Sequence, residues 1–373
     1  MLAIICPECD DVGHVVEMAG KRVAVAMSGG VDSSVSAALL LEAGYEVRGV
    51  YLRLWSQDGS FEGKPPLARD RAANDSEDAG AVCRFLGIPF DVLDAEDEFL
   101  ESVVRYFCDE YAAGRTPNPC IACNEHIKFG LLLDRVQSMG VDYLATGHYA
   151  RVAESGRQCR LFKAVDLFCD QSYFLYMLGQ RELGRVLFPV GGCSKGQVRR
   201  MAADLGLPVA GRKESQDICF IPDGRLAEFI AARVPCEPGD IVDSDGRVLG
   251  RHRGIALYTV GQRTGLGVAA GSRVYVRSID VERNRVVVGG EEDLFVSTLR
   301  AGKVRFVSDR PESPTAVTAR IRYNSPEAQA MLFPEGDDVR IEFQVAQRAV
   351  APGQSVVFYR GDEVVGGGVI ESP

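Results

Sequence analysis

Short apolar runs alternate with segments of helical periodicity up to about residue 220. Such runs predict buried strands, and the periodic segments between them predict helices. The predicted strands are 22–27, 46–52, 89–94 and 142–147, and the predicted helices are 33–44, 76–87, 96–113 and 125–139. Because strand–helix–strand units repeat, we expect an α/β fold with a doubly wound parallel sheet.

The pattern changes after about residue 225, where short strands follow turn residues. Residues 272–280 and 285–290 predict a hairpin, and 354–360 and 363–370 predict another hairpin, joined by Gly361 and Asp362. Strands of this kind favour a small β-rich central domain followed by a C-terminal β-barrel. The predicted organisation is an extension at 1–19, a catalytic domain at 20–225, the central domain at 226–295 and the barrel at 296–373.

Composition excludes several classes of protein. The chain has 373 residues, 46% hydrophobic and 25% charged, as in an ordinary soluble globular protein. No apolar run approaches the roughly 18 residues of a transmembrane helix, and the first residues do not resemble a signal peptide. We therefore expect a cytoplasmic protein without a membrane partner. Eleven cysteines in such a protein argue against a disulfide framework.

The N-terminal residues match neither half of the chain, and the extension 1–19 is expected to be flexible. Cys6, Cys9 and His14 could suggest zinc, but a structural zinc site needs a fourth ligand. An alternative start of translation at Met18, just before the first strand, is the other explanation. We expect no metal ligand set from the protein itself.

Charge is segregated along the chain. The net charge is −10, which by itself counts against a nucleic acid partner. Residues 58–110 hold fourteen acidic and five basic residues, whereas residues 181–213 reverse the balance. The basic residues of that second segment are Arg181, Arg185, Lys195, Arg199, Arg200, Arg212 and Lys213. A solvated basic face and a surface for a phosphate backbone both remain open.

A glycine-rich turn connects the first predicted strand to the first predicted helix. Ser28-Gly29-Gly30-Val31-Asp32-Ser33-Ser34 lacks the Gly-Lys-Ser/Thr end of a Walker A loop and the dinucleotide-binding fingerprint. Two glycines allow a tight turn that exposes backbone N–H groups at a helix N-terminus, which suits phosphate. The two terminal serines are expected to cap the helix.

This turn resembles the pyrophosphate loop of the ATP pyrophosphatase superfamily, whose members cleave ATP between the α and β phosphates and adenylate a carbonyl oxygen. The resemblance implies ATP as the nucleotide, with Mg²⁺ bound alongside it. It also implies that Asp32 assists through Mg²⁺ or water. The positions expected to contact ATP are Ala26, Met27, Ser28, Gly29, Gly30, Val31, Asp32, Ser33, Leu52 and Gly147.

Two cysteines stand out by their surroundings. Cys123 follows Thr116-Pro117-Asn118-Pro119 and precedes a predicted helix that Asn124 is suited to cap. A helix N-terminus and Lys128, one turn further on, would stabilise a thiolate. The pair Cys120 and Cys123 could also bind metal or form a redox pair. Cys219, in Asp217-Ile218-Cys219-Phe220-Ile221, is equally compatible with a buried, inert thiol.

The order of the motifs resembles that of the bacterial tRNA-specific 2-thiouridylases. Seven motifs occur in this order between residue 28 and residue 323: SGGVDSS, TPNPxxxCNxxIKFG, TGHYA, DQSYFL, SQDICFI, GQRxGLG and ARIRY. The resemblance implies that Cys123 is the nucleophile and that Cys219 carries a persulfide. It places the target base at Asn118, Pro119 and Cys120, and tRNA at Cys169, Asp170, Gln171, Arg322 and Tyr323.

The implied reaction is ATP-dependent 2-thiolation of uridine in tRNA, at the wobble position. The C2 oxygen is adenylated, and sulfur from a persulfide donor protein then gives 2-thiouridine and a Cys123–Cys219 disulfide, which a reductant must open. Some family members have Asp where this chain has Cys120, so the acid–base residue is left open. Two other functions are an amidating ligase of the same superfamily, which needs no reactive cysteine pair, and a non-catalytic RNA-binding protein.

Overall fold

The computed structural model describes residues 20–55, 69–212, 218–221, 224–268 and 273–373, with only the backbone for 69–74. The extension 1–19, with Cys6, Cys9 and His14, lies outside these ranges. Two compact units form, the first from the described parts of 1–102, 120–220 and 362–365 and the second from 103–119, 221–361 and 366–373. In the described ranges, no helix is long and apolar enough to cross a membrane.

A parallel sheet of five strands forms the centre of the first unit. The strands of this region are β1 (Arg22–Ala26), β2 (Glu46–Arg53), β3 (Phe90–Asp94), β4 (Tyr143–Ala145), β5 (Ala150–Ser155), β6 (Gln158–Lys163) and β7 (Val186–Leu187). The sheet has the order β3-β2-β1-β4-β7 and every pair in it is parallel, while β5 and β6 form an antiparallel hairpin that the sequence pattern did not predict. The predicted doubly wound sheet is confirmed, and its strand order reverses between β1 and β4, where such folds bind ligands.

The helices are α1 (Val31–Glu42), α2 (Arg69–Leu86), α3 (Glu96–Phe99), α4 (Tyr106–Ala112), α5 (Pro119–Ala122), α6 (Leu133–Ser138), α7 (Gln180–Leu183), α8 (Lys195–Asp204) and α9 (Leu226–Ala231). Wider π-helical segments, Leu100–Arg105 and Cys123–Leu132, connect α3 to α4 and α5 to α6. The helix predicted at 125–139 therefore begins six residues earlier, at Pro119. Proline suits the first turn of a helix because its fixed φ is already helical and no N–H bond is lost.

Both faces of the parallel sheet are covered. On one face, Val23 and Val25 of β1 pack with Ala79 and Cys83 of α2. On the other face, Ala24 of β1 is also fully buried. The apolar run of β1 is buried on both faces, as expected for a central parallel strand.

The second unit is built mainly from β-strands. These are β8 (Gly239–Val242), β9 (Val248–His252), β10 (Tyr275–Asp280), β11 (Arg285–Gly289), β12 (Phe295–Phe306), β13 (Thr315–Arg320), β14 (Ala328–Glu335), β15 (Asp338–Arg348), β16 (Ser355–Arg360) and β17 (Glu363–Ser372). Strands β10-β11-β8-β9 form a four-stranded sheet, and β12-β15-β14-β13-β16-β17 closes into a six-stranded barrel through the pairing of β12 with β17. Both predicted β-rich modules are confirmed.

The segment 103–119 groups with the β-rich unit rather than with the parallel sheet. Phe107 of α4 packs edge-on against Phe229 of α9, with ring centroids 6.3 Å apart. Tyr111, also on α4, forms a side-chain hydrogen bond with Thr259. Sequence periodicity assigns a segment to a helix but not to a partner, so the limits 20–225, 226–295 and 296–373 stay a prediction.

Candidate active site

The glycine-rich turn lies at the carboxyl end of β1, beside the reversal of strand order. Met27, directly after β1, donates its N–H to the carbonyl of Val50 at 2.8 Å, and Leu52 lies further along that neighbouring strand β2. Gly29 has φ +72°, and a Cβ there would lie 2.5 Å from the carbonyl oxygen of Asp75. Any other residue at Gly29 would be strained and would displace the backbone of α2.

Hydroxyl groups hold the turn closed. Helix α1 begins at Val31, so Ser33 and Ser34 lie inside its first turn, and the residue that precedes the helix is Gly30. The predicted capping by these serines is wrong because their hydroxyls donate back to the Gly30 carbonyl, at 3.2 and 2.8 Å. The Ser33 oxygen also accepts the N–H of Ser28 at 3.2 Å.

The loop after β4 lies against the start of α1. A Cβ at Gly147 would be 2.7 Å from the Ser33 nitrogen and 3.0 Å from the Asp32 Cβ, so only glycine permits this approach. Next to Gly147, the His148 Nδ1 lies 2.7 Å from the Thr146 hydroxyl. Burial, reinforced by the nearby Lys128 ammonium, holds the pKa of His148 well below its usual range, so the ring is neutral.

Asp32 has two partners in the turn region. The Lys195 ammonium donates to both carboxylate oxygens of Asp32, at 2.8 Å each. The Tyr149 hydroxyl donates to one of the same oxygens at 2.9 Å. Lys195 begins α8, where Ser194 and Gln197 form reciprocal side-chain-to-backbone bonds. The capped start of α8 therefore places the Lys195 ammonium beside the Asp32 carboxylate.

Arg212 fixes the turn from the side of α2. Its guanidinium donates to the Gly29 carbonyl at 2.7 Å and forms ion pairs with Asp75 and Asp78. Arg212 belongs to the basic segment 181–213, for which a surface for a phosphate backbone was one of the two interpretations. In the structure, its side chain is instead held between these two acids. The carbonyl of Gly29 therefore points towards Arg212.

Cys123 lies inside a helix rather than at a helix end. The helix starts at Pro119 and Cys123 begins its π-helical part, where the residue is buried. Asn124 does not cap, since it is buried inside the helix and its amide donates to the Phe174 carbonyl at 2.9 Å. The side-chain oxygen of Asn124 has no hydrogen-bond partner among the described residues. Long π-helical stretches are rare and frequently mark functional sites.

Three cysteines and a lysine form one electrostatic cluster, which we call the thiol cluster: Cys120, Cys123, Cys219 and Lys128. The pKa of Cys219 is raised by burial and then by the neighbouring Cys123 and Cys120. The pKa of Cys123 is likewise raised by burial, and Lys128 lowers it only in part. The expected stabilised thiolate is therefore wrong for this structure, because loss of solvation outweighs the lysine. Cys120 and Cys219 keep exposed surface, although the protein around their thiols raises the pKa of both.

Aromatic packing anchors the segment that carries Cys219. The Phe220 ring lies edge-on to Phe99, with centroids 5.6 Å apart, and Phe99 packs in the same way on Trp55 at 5.4 Å. Phe220 is fully buried while Cys219 beside it is exposed. The beginning of the motif, residues 215–217, lies outside the described residues.

Most residues expected to meet tRNA and its base lie in turns and loops, but Pro119 and Cys120 lie in α5. Asp170 is buried, and its carboxylate accepts the N–H groups of Ala164 and Ser172 at 3.0 and 3.2 Å. Its side chain therefore shapes the turn that carries Cys169 and Gln171. Asn118, Pro119, Arg322 and Tyr323 belong to the second unit, the last two in the turn that follows β13. Contact of these residues with tRNA stays a prediction.

Sequence reasoning missed residues that the fold brings to the turn. Tyr149 and His148 stand inside the recognised TGHYA motif, so that motif was the available signal. Lys195 and Arg212 were read only as part of a basic segment. Their roles depend on contacts across more than 130 residues of sequence, as in the pairs Lys195–Asp32 and Arg212–Asp78.

A HUP domain followed by two β-rich modules is the class that this fold and turn define. The family model described as tRNA methyl transferase HUP domain matches residues 21–223. The PRC-barrel domain model of the same name matches 227–290, and the aminomethyltransferase beta-barrel domain model matches 296–370.

Full-length relatives place the chain more narrowly. The tRNA-specific 2-thiouridylase MnmA of Acetivibrio thermocellus is 49% identical, over 95% of this chain and 100% of that protein. The protein of the same name from Roseiflexus castenholzii is 47% identical, over 94% and 99% of the two chains. The one from Syntrophus aciditrophicus is 45% identical, over 100% and 98%. The chain belongs to the tRNA-specific 2-thiouridylase family and is an enzyme.

Proposed function

We propose that this protein transfers sulfur to C2 of a uridine in tRNA, after ATP has activated the C2 oxygen. The observation that carries the proposal is the position of Tyr51 on β2. Its pKa is raised to about 12 by burial and then by Asp75, with Arg212 opposing and Cys219 contributing. Tyr51 therefore interacts with Asp75 and Arg212 beside the glycine-rich turn, and also with Cys219, the persulfide candidate. These interactions support one site for activation and sulfur transfer.

The glycine-rich turn supplies the phosphate-binding groups in this proposal. The turn is held by Arg212 and by the serine hydroxyls, so backbone N–H groups at the start of α1 are available to phosphate oxygens. Lys195 provides a positive charge beside them. Asp32 is the carboxylate that would hold Mg²⁺, which would neutralise phosphate charge. The product of this step is a uridine whose C2 oxygen has become part of an AMP leaving group.

The thiol cluster supplies the sulfur. A persulfide on Cys219, loaded by a persulfide donor protein, attacks C2 with its terminal sulfur, and AMP departs with the former oxygen. The Cys123 thiolate then attacks the Cys219 sulfur and breaks the sulfur–sulfur bond. This releases 2-thiouridine and leaves a Cys123–Cys219 disulfide, which an external dithiol reduces. Direct attack of Cys123 on the persulfide, which releases hydrosulfide towards C2, gives the same products.

The wobble uridine is the proposed target, with the base held by the loop before Cys123. A base inside a stacked anticodon must leave the stack to reach a reactive centre. Asn118, Pro119 and Cys120 are the proposed contacts of the extruded base. Cys169, Asp170, Gln171, Arg322 and Tyr323 are the proposed contacts of the remaining tRNA, and the cytoplasm is the proposed compartment.

Nucleoside mass analysis tests this function. Unmodified tRNA is incubated with the protein, Mg²⁺, ATP and a persulfide donor, and the digest is examined for 2-thiouridine. Formation that requires ATP and both cysteines is the expected result. An amidated or methylated nucleoside, each of distinct mass, would replace the proposal with another transfer reaction. Binding of tRNA without release of AMP or pyrophosphate would indicate a non-catalytic RNA-binding protein.

A further inference from the structure

A fully exposed aromatic ring stands on the loop between β6 and the turn at Ser172. Phe168 is 99% exposed, and its loop neighbours Val165 and Leu167 are 53% and 63% exposed. Single apolar residues on a surface need no explanation, but three within four residues, including an uncovered phenylalanine, mark an interaction site. Keeping a phenylalanine in water forgoes about 1.5–3 kcal/mol of burial.

This loop, residues 164–170, is held firmly at both ends. Asp166 accepts the N–H of Phe168 at 3.2 Å with one carboxylate oxygen, and the other oxygen accepts the N–H of Lys195 at 2.9 Å. At the other end, the buried Asp170 accepts the N–H of Ala164 at 3.0 Å. The backbone therefore presents the ring in a defined place, and little conformational entropy would be lost on binding.

The helix that this loop contacts carries positive charge. Because Asp166 binds the first N–H of α8, the loop packs at the start of that helix. Arg199 and Arg200 follow on α8 and are exposed, about 6 and 7.5 Å along the helix axis from Lys195. An exposed aromatic ring beside exposed arginines has the two features that RNA-binding surfaces combine, a platform for a base and a charge for the phosphates.

We propose that Phe168 stacks on an unpaired base of the tRNA substrate. The inference rests on the proposed function for the identity of the RNA. Phe168 directly precedes Cys169 to Gln171, the proposed tRNA contacts. It adds an aromatic ring on which a base can stack, and residues 169–171 have no aromatic side chain. Asp166 also links the ring, through Lys195, to Asp32 of the glycine-rich turn.

Equilibrium binding of unmodified tRNA to four proteins tests the inference. The affinity of Phe168→Ala should fall about 5- to 100-fold, as for the loss of one stacked base. Phe168→Trp should retain the affinity, and its added fluorescence should be quenched by tRNA. Phe168→Leu, which keeps apolar surface but no ring, should stay impaired. Phe85→Ala removes a half-exposed phenylalanine on α2 and should leave the affinity unchanged.

The outcomes separate the two proposals. If wild-type protein thiolates tRNA but Phe168→Ala binds tRNA equally well, only the stacking inference is overturned. If that variant binds tRNA normally but loads persulfide more slowly from the donor protein, the ring serves a protein partner instead. If the variant loses tRNA affinity while even the wild type forms no thiolated nucleoside, the stacking stands and the proposed function fails.

Discussion

Lys195 and Asp32, which are 163 residues apart in sequence, form an ion pair in which the ammonium lies 2.8 Å from each carboxylate oxygen. Asp32 belongs to the glycine-rich turn, and its carboxylate is the group proposed to hold Mg²⁺. The pair places one negative and one positive group at the expected position of the phosphates. In the proposed reaction, Asp32 would exchange Lys195 for Mg²⁺, and Lys195 would exchange Asp32 for a phosphate of ATP.

Replacing Lys195 with Met should reduce ATP–pyrophosphate exchange, measured with tRNA present, by about 10- to 100-fold. The variant loses a cation worth up to about 4 kcal/mol at 4 Å in a partly screened site, and it leaves Asp32 facing the phosphates. Lys21→Met, which removes an exposed lysine of the same unit, should have no effect. Asp32→Ala should also abolish exchange. Persulfide loading on Cys219 should survive in Lys195→Met and in Asp32→Ala. Its loss would show that adenylation and persulfide loading are coupled, or that the fold is damaged.

Replacing Cys123 or Cys219 with Ser should each abolish 2-thiouridine formation while the affinities for ATP and tRNA change by less than about twofold. A serine hydroxyl neither carries a persulfide nor opens one. Mass analysis after one turnover should find a Cys123–Cys219 disulfide in the wild-type protein. Cys193→Ser, a buried thiol elsewhere in the same unit, is the matched control. Normal thiolation by either active-site variant would remove that cysteine from the mechanism.

The alkylation of Cys123 should rise with pH through and above the ordinary range of a thiol. Its pKa is raised by burial, so the unreactive thiol prevails at neutral pH and the thiolate forms only as pH increases. Lys128→Met removes the charge that opposes this shift and should move the midpoint to still higher pH. His126→Ala, an exposed neighbour on the same helix, should leave the midpoint in place. A midpoint below that of a free thiol would contradict the burial argument.

Affinity for tRNA should depend strongly on salt despite the acidic net charge. About four neutralised phosphates would weaken binding about 50- to 150-fold between 50 and 200 mM salt. Arg199→Ala combined with Arg200→Ala should flatten the log–log slope by about 1.5. Arg322→Ala should weaken binding by a separate contact in the β-rich unit. An affinity that stays constant across this salt range would exclude the electrostatic contribution.

The loop proposed to hold the target base depends on Gln354. The Gln354 amide donates to the Thr116 carbonyl at 2.9 Å, and the Thr116 N–H donates to the Pro352 carbonyl at 2.8 Å. Gln354→Ala should lower kcat for thiolation about 5-fold, as expected for the loss of about 1 kcal/mol of loop restraint, with tRNA affinity unchanged. Gln347→Ala removes a glutamine whose amide donates to the nearby Val345 carbonyl, and should behave as wild type. A loss of tRNA affinity without a change in kcat would point to a direct contact instead.

Local sequence was a good guide wherever a residue's neighbours along the chain decide its conformation. The strands at 22–27 and 46–52 occur within one residue of their predicted limits, because apolar β-branched runs bounded by turns have few alternatives. The start of the helix that carries Cys123 was misplaced, because a proline that allows a loop also suits a first helical turn. The expected low pKa of Cys123 was also wrong, because burial raises that pKa more than Lys128 lowers it.

By itself, the sequence determined the α/β and β-rich halves and located the glycine-rich turn and the two candidate cysteines, since periodicity and motif order are properties of the chain. Only the tertiary structure decided which distant groups meet. It brought Lys195 and Tyr149 to Asp32, set Arg212 against Gly29, and surrounded the thiols with protein that raises their pKa. Desolvation and long-range ion pairs depend on the packing of segments far apart in the chain, and no local pattern encodes that packing.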